Sequence, residues 1–288
     1  MKSLRHFIAG LFCRHPEFLF KMNYWRVNHV WLNTKYPQHF YDKVAYLAFH
    51  TNTTAWSYLA DKLKVREYVA EKGFTDNLPK LYGYWNSADA IDFDVLPDQF
   101  VLKTNNASNT NLIVRDKYAL NPGEVRSRFR KWLKWNYGRE TAQPHYCRIK
   151  PMILAEELLL DDETTKKGKC LTDYKFFCFN GVPHTVHLMK DRKSNTHSCC
   201  EQFYDMDWQP HPEYSNGNNG VITETVEKPV SFEIMKQMAA ALSDGFPFVR
   251  VDFYQVNGKP VLGEMSFTPG VESFSPILSK ILGDNLQL

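Results

Sequence analysis

Residues 245–270 read GFPFVRVDFYQVNGKPVLGEMSFTPG, and the fold class turns on them. From Pro247 to Val256 the residues Phe248, Val249, Val251, Phe253, Tyr254 and Val256 suit a pleated strand with a buried face. Asn257-Gly258 then reads as a two-residue hairpin turn, because both central positions need a positive φ that Asn and Gly adopt at least cost. Lys259 to Phe267 is the returning strand. Counting outward from the turn sets Asp252 near residue 263, so Asp252 and Glu264 are neighbours or near neighbours on paired strands. Arg250 and Ser266 each lie two residues from one of these acids, on the same face as that acid. Two carboxylates within apolar strands are costly to bury without a cation. Carboxylate oxygens plus one hydroxyl, with coordination positions left over, suit Mg2+ that completes its shell with water and nucleotide phosphate. A solvated hairpin face with Arg250 as ion-pair partner is the plainer alternative.

The totals bound the classes. A chain of 288 residues holds one large domain or two small ones, and 43% hydrophobic with 23% charged residues is the balance of an ordinary globular protein. A net charge of +3 is too small to argue for a nucleic-acid partner. The aromatic content of 15% suits sugars or flat rings as guests and suits core packing equally. The six cysteines, at 13, 147, 170, 178, 199 and 200, form no Cys-x-x-Cys pair, so reduced thiols in a soluble, cytoplasmic protein are expected. Cys199-Cys200 near His197 lacks the spacing of a zinc site. Phe7 to Cys13 is too short an apolar run to span a bilayer.

Residues 1–59 form an aromatic and basic region, with Arg5, Arg14, Lys21, Trp25, Arg26, Trp31, Lys35 and Lys43. Tyr41, Val44, Ala45, Leu47 and Ala48 recur at helical spacing. Such an arm, over residues 1–50, can rest on an anionic membrane at its inner face or pack against the main domain. A helix is expected over Ala60–Lys72, short strands over Leu81–Trp85, Phe100–Lys103 and Leu112–Arg115, and a basic helix over residues 122–137. The polar segment Thr104–Asn111 between two strands is either a plain hairpin loop or a flap laying backbone amides over phosphates. Pro151 to Leu160 is an apolar strand carrying Glu156 and Glu157, Asp173–Asn180 and His184–Met189 form a second hairpin, and 194–220 reads as a long polar loop. No spacing among His184, His187 and His197 demands a metal, and they read as structural or surface histidines. Ser231 is placed as cap of a helix running to Leu242, with Glu233 in its first turn.

Arg250-Val-Asp252-Phe followed by Glu264-x-Ser266-x-Thr268-Pro269-Gly270 resembles the metal-binding end of the ATP-grasp superfamily, as in D-alanine–D-alanine ligases. More narrowly, Asp173-Tyr-Lys-Phe-Phe-Cys-Phe-Asn-Gly181 and Gly245-Phe-Pro-Phe-Val-Arg-Val-Asp252 resemble its TupA-like branch, named for teichuronopeptide biosynthesis, from about Leu59 to the C-terminus. The resemblance implies an α+β ATP-grasp fold over residues 60–288, its subdomains (about 60–150 and 151–288) clasping ATP, after a short helical N-terminal region. It implies two Mg2+ ions on Asp252, Glu264 and Ser266, the serine standing where the ligases place Asn. By the same resemblance Lys62 of the Asp61-Lys62 pair and Lys103 serve the phosphates, Asn105 and Ser108 belong to the phosphate loop, Glu156, Glu157 and Leu158 read adenine, and Asp173 holds the ribose. Lys175, Arg192 and Arg250 face the phosphoryl group or the reacting carboxylate. The implied activity is ATP-dependent carboxylate–amine ligation through an acyl phosphate. The implied partners are an amino acid or other amine and a uronic-acid-type sugar of a surface or capsular polysaccharide. A phosphotransferase on the same nucleotide site is one alternative. Another is a glycosyltransferase, whose Asp-x-Asp type of metal motif has only Asp92-Phe-Asp94 and Asp205-Met-Asp207 as candidates.

Overall fold

The computed structural model describes residues 14–161, 170–191, 199–270 and 274–288. In chain order they form helices α1 (Pro16–Asn28), α2 (Phe40–His50), α3 (Thr54–Leu59) and α4 (Val65–Glu71), then strands β1 (Leu81–Trp85), β2 (Phe100–Thr104) and β3 (Asn111–Val114). Helices α5 (Pro122–Lys134) and α6 (Tyr137–Glu140) precede β4 (Ile153–Glu156), β5 (Asp173–Phe179), β6 (Val182–Lys190), β7 (Cys200–Tyr204) and β8 (Gly220–Val221). Helix α7 (Phe232–Ser243), strands β9 (Val249–Val256) and β10 (Lys259–Ser266) and helix α8 (Pro276–Asn285) complete the chain. The architecture is α+β, as expected, with a four-stranded sheet in the order β1-β4-β2-β3 and a six-stranded sheet in the order β10-β9-β5-β6-β7-β8.

The chain divides into two compact units. The first contains Thr53–Tyr68 and Leu78–Leu159 together with the described residues up to Phe20. Its sheet is antiparallel throughout, and β2 alternates in burial. Phe100 and Leu102 enter a core with Ile153, Ala155 and Val114, to which α5 contributes Val125 and Phe129. Helix α5 starts where it does because the Asn121 side chain accepts from the amides of Gly123 and Glu124 and Pro122 fills the first turn. The opposite face carries Val101 and Lys103.

The second unit contains Lys21–Asn52, Val69–Asn77 and Leu160–Leu288. Its central strand β5 is buried at every residue, so both of its faces are covered. Phe176 packs with Phe232 and Phe253 on the side of α7, which brings Met235, Met238 and Leu242 into the core. Phe177 and Phe179 point the other way, against Phe40 of α2, Phe248 and, for Phe177, Phe274. That second face therefore changes character along β5, from aromatic at Phe179 and Phe177 to charged at Lys175 and Asp173.

Several local expectations are corrected. The helix expected from Ala60 begins at Val65, because the Asp61 carboxylate accepts from the amides of Leu63 and Lys64 and holds residues 61–64 in a turn. Ser231 precedes α7 without a side-chain cap; its hydroxyl donates to Gln255 Oε1 at 2.7 Å. The 194–220 segment is not one loop, since it contains β7, which pairs antiparallel with β6, and β8, parallel to β7.

Candidate active site

The second unit's sheet lines up charge across its strands. In register, Glu264 of β10 faces Asp252 of β9, Asp252 faces Lys175 of β5, and Lys175 faces His187 of β6. A bulge between Leu262 and Glu264 makes this alignment, so the partner of Asp252 is residue 264 rather than 263. Gly263 suits that bulge, for a Cβ there would sit 3.1 Å from the Tyr254 ring and 3.3 Å from the Asp252 carbonyl oxygen.

Asp252 is buried and fully engaged. Arg250 donates from Nε to Oδ1 at 2.7 Å and from Nη2 to Oδ2 at 2.6 Å, while Lys175 Nζ donates to Oδ2 at 2.7 Å. The same Arg250 Nη2 reaches Glu264 Oε1 and Ser266 Oγ, at 3.4 and 3.3 Å, so three oxygens converge on one guanidinium nitrogen. Ser266 also donates to Glu264 Oε1 at 3.2 Å. Asp173 lies buried beside Lys175, 3.6 Å from Nζ. Burial alone would push the Asp252 carboxyl up, yet the charges and hydrogen bonds of Arg250 and Lys175 bring it below the usual carboxylate range. Burial opposes the charge on Arg250, and Asp252 more than restores it, so the guanidinium is held more firmly than usual.

The donor set fits a hard divalent cation of the Mg2+ kind. Glu264 is the open member of the set, its side chain 38% exposed and its Oε2 without a hydrogen bond among the described residues. Ser266 stands beside it, while Arg250 and Lys175 already hold both oxygens of Asp252, so a cation there would have to share an oxygen with them. Among the described residues no group of three His, Cys, Asp or Glu side chains gathers for a metal.

The first unit has its own charged centre. Glu156, buried at the end of β4, pairs with Lys103 of β2 and with Arg66 Nη1 at 3.1 Å. Lys62 Nζ donates to the Ala107 carbonyl at 2.8 Å and its amide to the Asn105 carbonyl at 3.2 Å, which ties the Asp61-Lys62 turn to the Asn105–Asn109 loop. Asn109 takes a left-handed φ of 58°, the conformation a loop glycine would otherwise supply. Ser108 is exposed at the loop tip. Asn105 departs from its expected part: its amide donates to Asp61 and to the Lys150 carbonyl and accepts from Met152, so it anchors the loop and has no amide left for a ligand. Of the expected hinge, Glu156 is laddered to β1 and β2, and the Glu157 amide donates to the Lys80 carbonyl at 2.9 Å. Leu158, half-buried, makes no such backbone hydrogen bond among the described residues. Arg192 lies outside the described residues, as does His197.

A family model for TupA-like ATP-grasp proteins matches residues 42–287. The chain belongs to the TupA-like ATP-grasp family. A D-alanine–D-alanine ligase from Bacillus anthracis is 17% identical, covers 82% of this chain and 68% of its own, and superposes with a TM-score of 0.47. The same enzyme complexed with ATP gives 14% identity, coverage of 82% and 67%, and a TM-score of 0.49. An L-amino acid ligase from Bacillus licheniformis is 14% identical, with 81% of this chain and 47% of that chain covered and a TM-score of 0.45. No curated protein matches. Among the described residues no helix is long and apolar enough to cross a membrane.

The sequence reading left Glu201 and Arg66 unremarked and read His187 as a structural or surface histidine. His187 is buried, with Nε2 3.0 Å from Glu201 Oε2 and its ring stacked on Phe203 at 4.3 Å. The available signal was its place in the alternation of β6, two residues from Thr185 and from Met189. That signal is silent without knowing that β7 pairs with the strand.

Proposed function

We propose that this protein is an ATP-dependent carboxylate–amine ligase. The observation that carries the reading is the convergence of Asp252, Glu264 and Ser266 oxygens on Arg250 Nη2, with Lys175 on the far side of Asp252. Within a family of ATP-grasp enzymes such a centre suits a reaction run by charge neutralisation and positioning. Glu264, Ser266 and a shared oxygen of Asp252 are the residues to hold Mg2+, as a pair of ions in the full form, and the metal supplies charge neutralisation of the triphosphate when bound. Lys175 and Arg250 orient and stabilise the oxygens of the phosphoryl group and of the substrate carboxylate. Lys103 and Lys62 bind phosphate, Leu158 and its neighbours Glu156 and Glu157 accept the adenine edge, and Asp173 accepts the ribose hydroxyls. The substrates in this reading are an amino acid or other amine and a uronic-acid-type sugar destined for a surface polysaccharide. The reaction is placed in the cytoplasm, at the inner face of the membrane if residues 1–50 touch lipid.

The test is product analysis by mass spectrometry with ATP, Mg2+, D-glucuronate or D-galacturonate, and the common amino acids. The expected result is an ATP-dependent amide with one ADP and one phosphate per bond formed. ADP formation with phosphate moved onto the sugar and no amide would replace ligation by phosphotransfer.

A further inference from the structure

The charged row does not end at Lys175. His187 continues it on β6, and behind His187 stands a second buried acid, Glu201 of β7. Glu201 is wholly buried and held from three sides: His187 Nε2 at 3.0 Å, Ser215 Oγ at 2.6 Å and Asn219 Nδ2 at 2.7 Å. A carboxylate only accepts, so Nε2 of His187 carries the ring proton and Nδ1 is left as a lone pair. Nδ1 makes no hydrogen bond with any described residue. The face-to-face stack on Phe203, 12° from parallel, fixes the plane of the ring. A neutral imidazole, oriented by a locked carboxylate on one nitrogen and with the other unpaired among the described residues, is the arrangement of a base.

We propose that His187, oriented by Glu201, is the base that takes the proton from the attacking amine in the second half of the reaction. The inference rests on the ligase reading. The nitrogen lone pair forms the new C–N bond to the activated carbonyl carbon, the C–O bond to phosphate breaks with its electron pair leaving on phosphate, and the proton passes from nitrogen to His187 Nδ1. The imidazolium so formed faces the Glu201 carboxylate, which stabilises it. The charged groups around the ring suit this task. Burial pushes the His187 imidazole down, the Glu201 pair pushes it up, and Lys175 of β5 and Arg250 of β9 push it down again, so the ring is neutral at neutral pH. Asp252 and Glu264 lie further along the row and are occupied by Arg250 and Lys175. Burial pushes the Glu201 carboxyl up, and its bonds from His187, Ser215 and Asn219 outweigh that and keep it ionised.

Hydroxylamine separates the two halves of the reaction, since it is uncharged at neutral pH and traps an activated carboxylate without help, whereas an amino acid must shed a proton. Wild type, His187→Gln and Glu201→Gln are assayed with ATP and Mg2+, with the common amino acids, D-glucuronate and D-galacturonate as carboxylate donors, and with hydroxylamine or amino acids as the amine. The expected result is that His187→Gln forms hydroxamate within about threefold of wild type, while its amide formation at pH 7 falls by ~10^2-fold or more and recovers as pH rises. Glu201→Gln gives the same split with a smaller loss, because its amide oxygen still accepts from Nε2. Hydroxamate formation also certifies that each variant is folded. Parallel loss of hydroxamate and amide, or no loss of either, overturns the assignment. If wild type forms neither product, the ligase reading falls and takes this inference with it, a failure recognisable because it precedes any substitution.

Discussion

Asp252 and Glu264 face each other across two strands, yet their surroundings give them different tasks. Asp252 is buried under two cations, and removing its charge strands Arg250 and Lys175 inside the unit. Breaking a buried pair from one side costs about 3–5 kcal/mol. Asp252→Asn is therefore expected to lower the melting temperature by roughly 6 °C or more as well as abolish ATP turnover. Glu264 touches the same Arg250 from a half-open position, where such contacts are worth less than about 1 kcal/mol. Glu264→Gln should melt within a few degrees of wild type and lose the stabilisation that Mg2+ and ATP give; differential scanning fluorimetry with and without both ligands reads the contrast. The sequence alone placed both acids at one metal site, because spacing reports which face a residue takes and not how many cations surround it. His145 gives a pH signature. Burial, with the Arg148 charge adding to it, pushes its imidazole down to about 3, whereas in the unfolded chain it titrates near ~6.5. Between those values the unfolded state binds a proton that the folded state refuses, so stability falls by about 1.4 kcal/mol per pH unit on acidification. In His145→Phe, which keeps the edge contact to Trp56, urea unfolding followed from pH 7 to 4 should lose less stability than wild type over that range.

At the scale of elements, the hairpin of β9 and β10 is legible because Asn257-Gly258 names its own turn, and φ values of 49° and 76° bear it out. The bulge after Leu262 is not legible by counting. It does leave a trace in burial, which runs Pro260, Leu262 and then, one position out of phase, Met265 and Phe267. Strand β7 was hidden for a different reason. Cys200 to Tyr204 carries Glu201 and Gln202 among its five residues, and their burial depends on β6, Ser215 and Asn219, which no local pattern shows. The loop after β2 was seen as a unit, but its anchoring was not: Asn105 looks like any polar loop residue until Asp61, Lys150 and Met152 are found around it. Asn105→Ala leaves the Met152 amide and the Lys150 carbonyl without this partner, at about 1–3 kcal/mol for each group that stays buried and unpaired. Asn105→Asp restores the acceptor for Met152 but sets a second carboxylate against Asp61, and it should be the more damaging of the two. Melting temperature and the rate of limited proteolysis within Thr104–Thr110 are the measurements; an alanine variant as stable and as resistant as wild type would remove Asn105 from its anchoring role.

For the molecule as a whole, the family was legible because Asp252, Glu264 and the Asp173–Gly181 run form motifs local in sequence, which are read without knowing how the chain folds. Its extent was less so, since the resemblance was read from about Leu59 and the family match begins at residue 42. The reason lies in α2, whose Phe40, Val44 and Leu47 repeat as any amphipathic helix does and do not say what they cover. In the second unit α2 meets the C-terminal helix α8. Lys43 Nζ donates to the carbonyls of Gly283 and Leu286, both at 2.9 Å, and Tyr41 donates to the Gly270 carbonyl at 2.6 Å. Gly283 permits this approach: a Cβ there would stand 2.9 Å from the Gln38 carbonyl oxygen and 2.9 Å from the Phe40 amide nitrogen. Gly283→Ala thus sets two effects against each other. Replacing a mid-helix glycine by alanine stabilises a helix by up to about 1 kcal/mol. Forcing backbone apart at a closed contact costs about 1–3 kcal/mol, and here it also stretches both Lys43 bonds. The second effect wins, and because the contact joins segments more than 240 positions apart, its loss should lower the single unfolding transition of the unit by several degrees rather than fray one helix. Calorimetry of the full chain measures this, and a raised melting temperature in Gly283→Ala would show that α2 and α8 do not close on each other as tightly as the glycine allows.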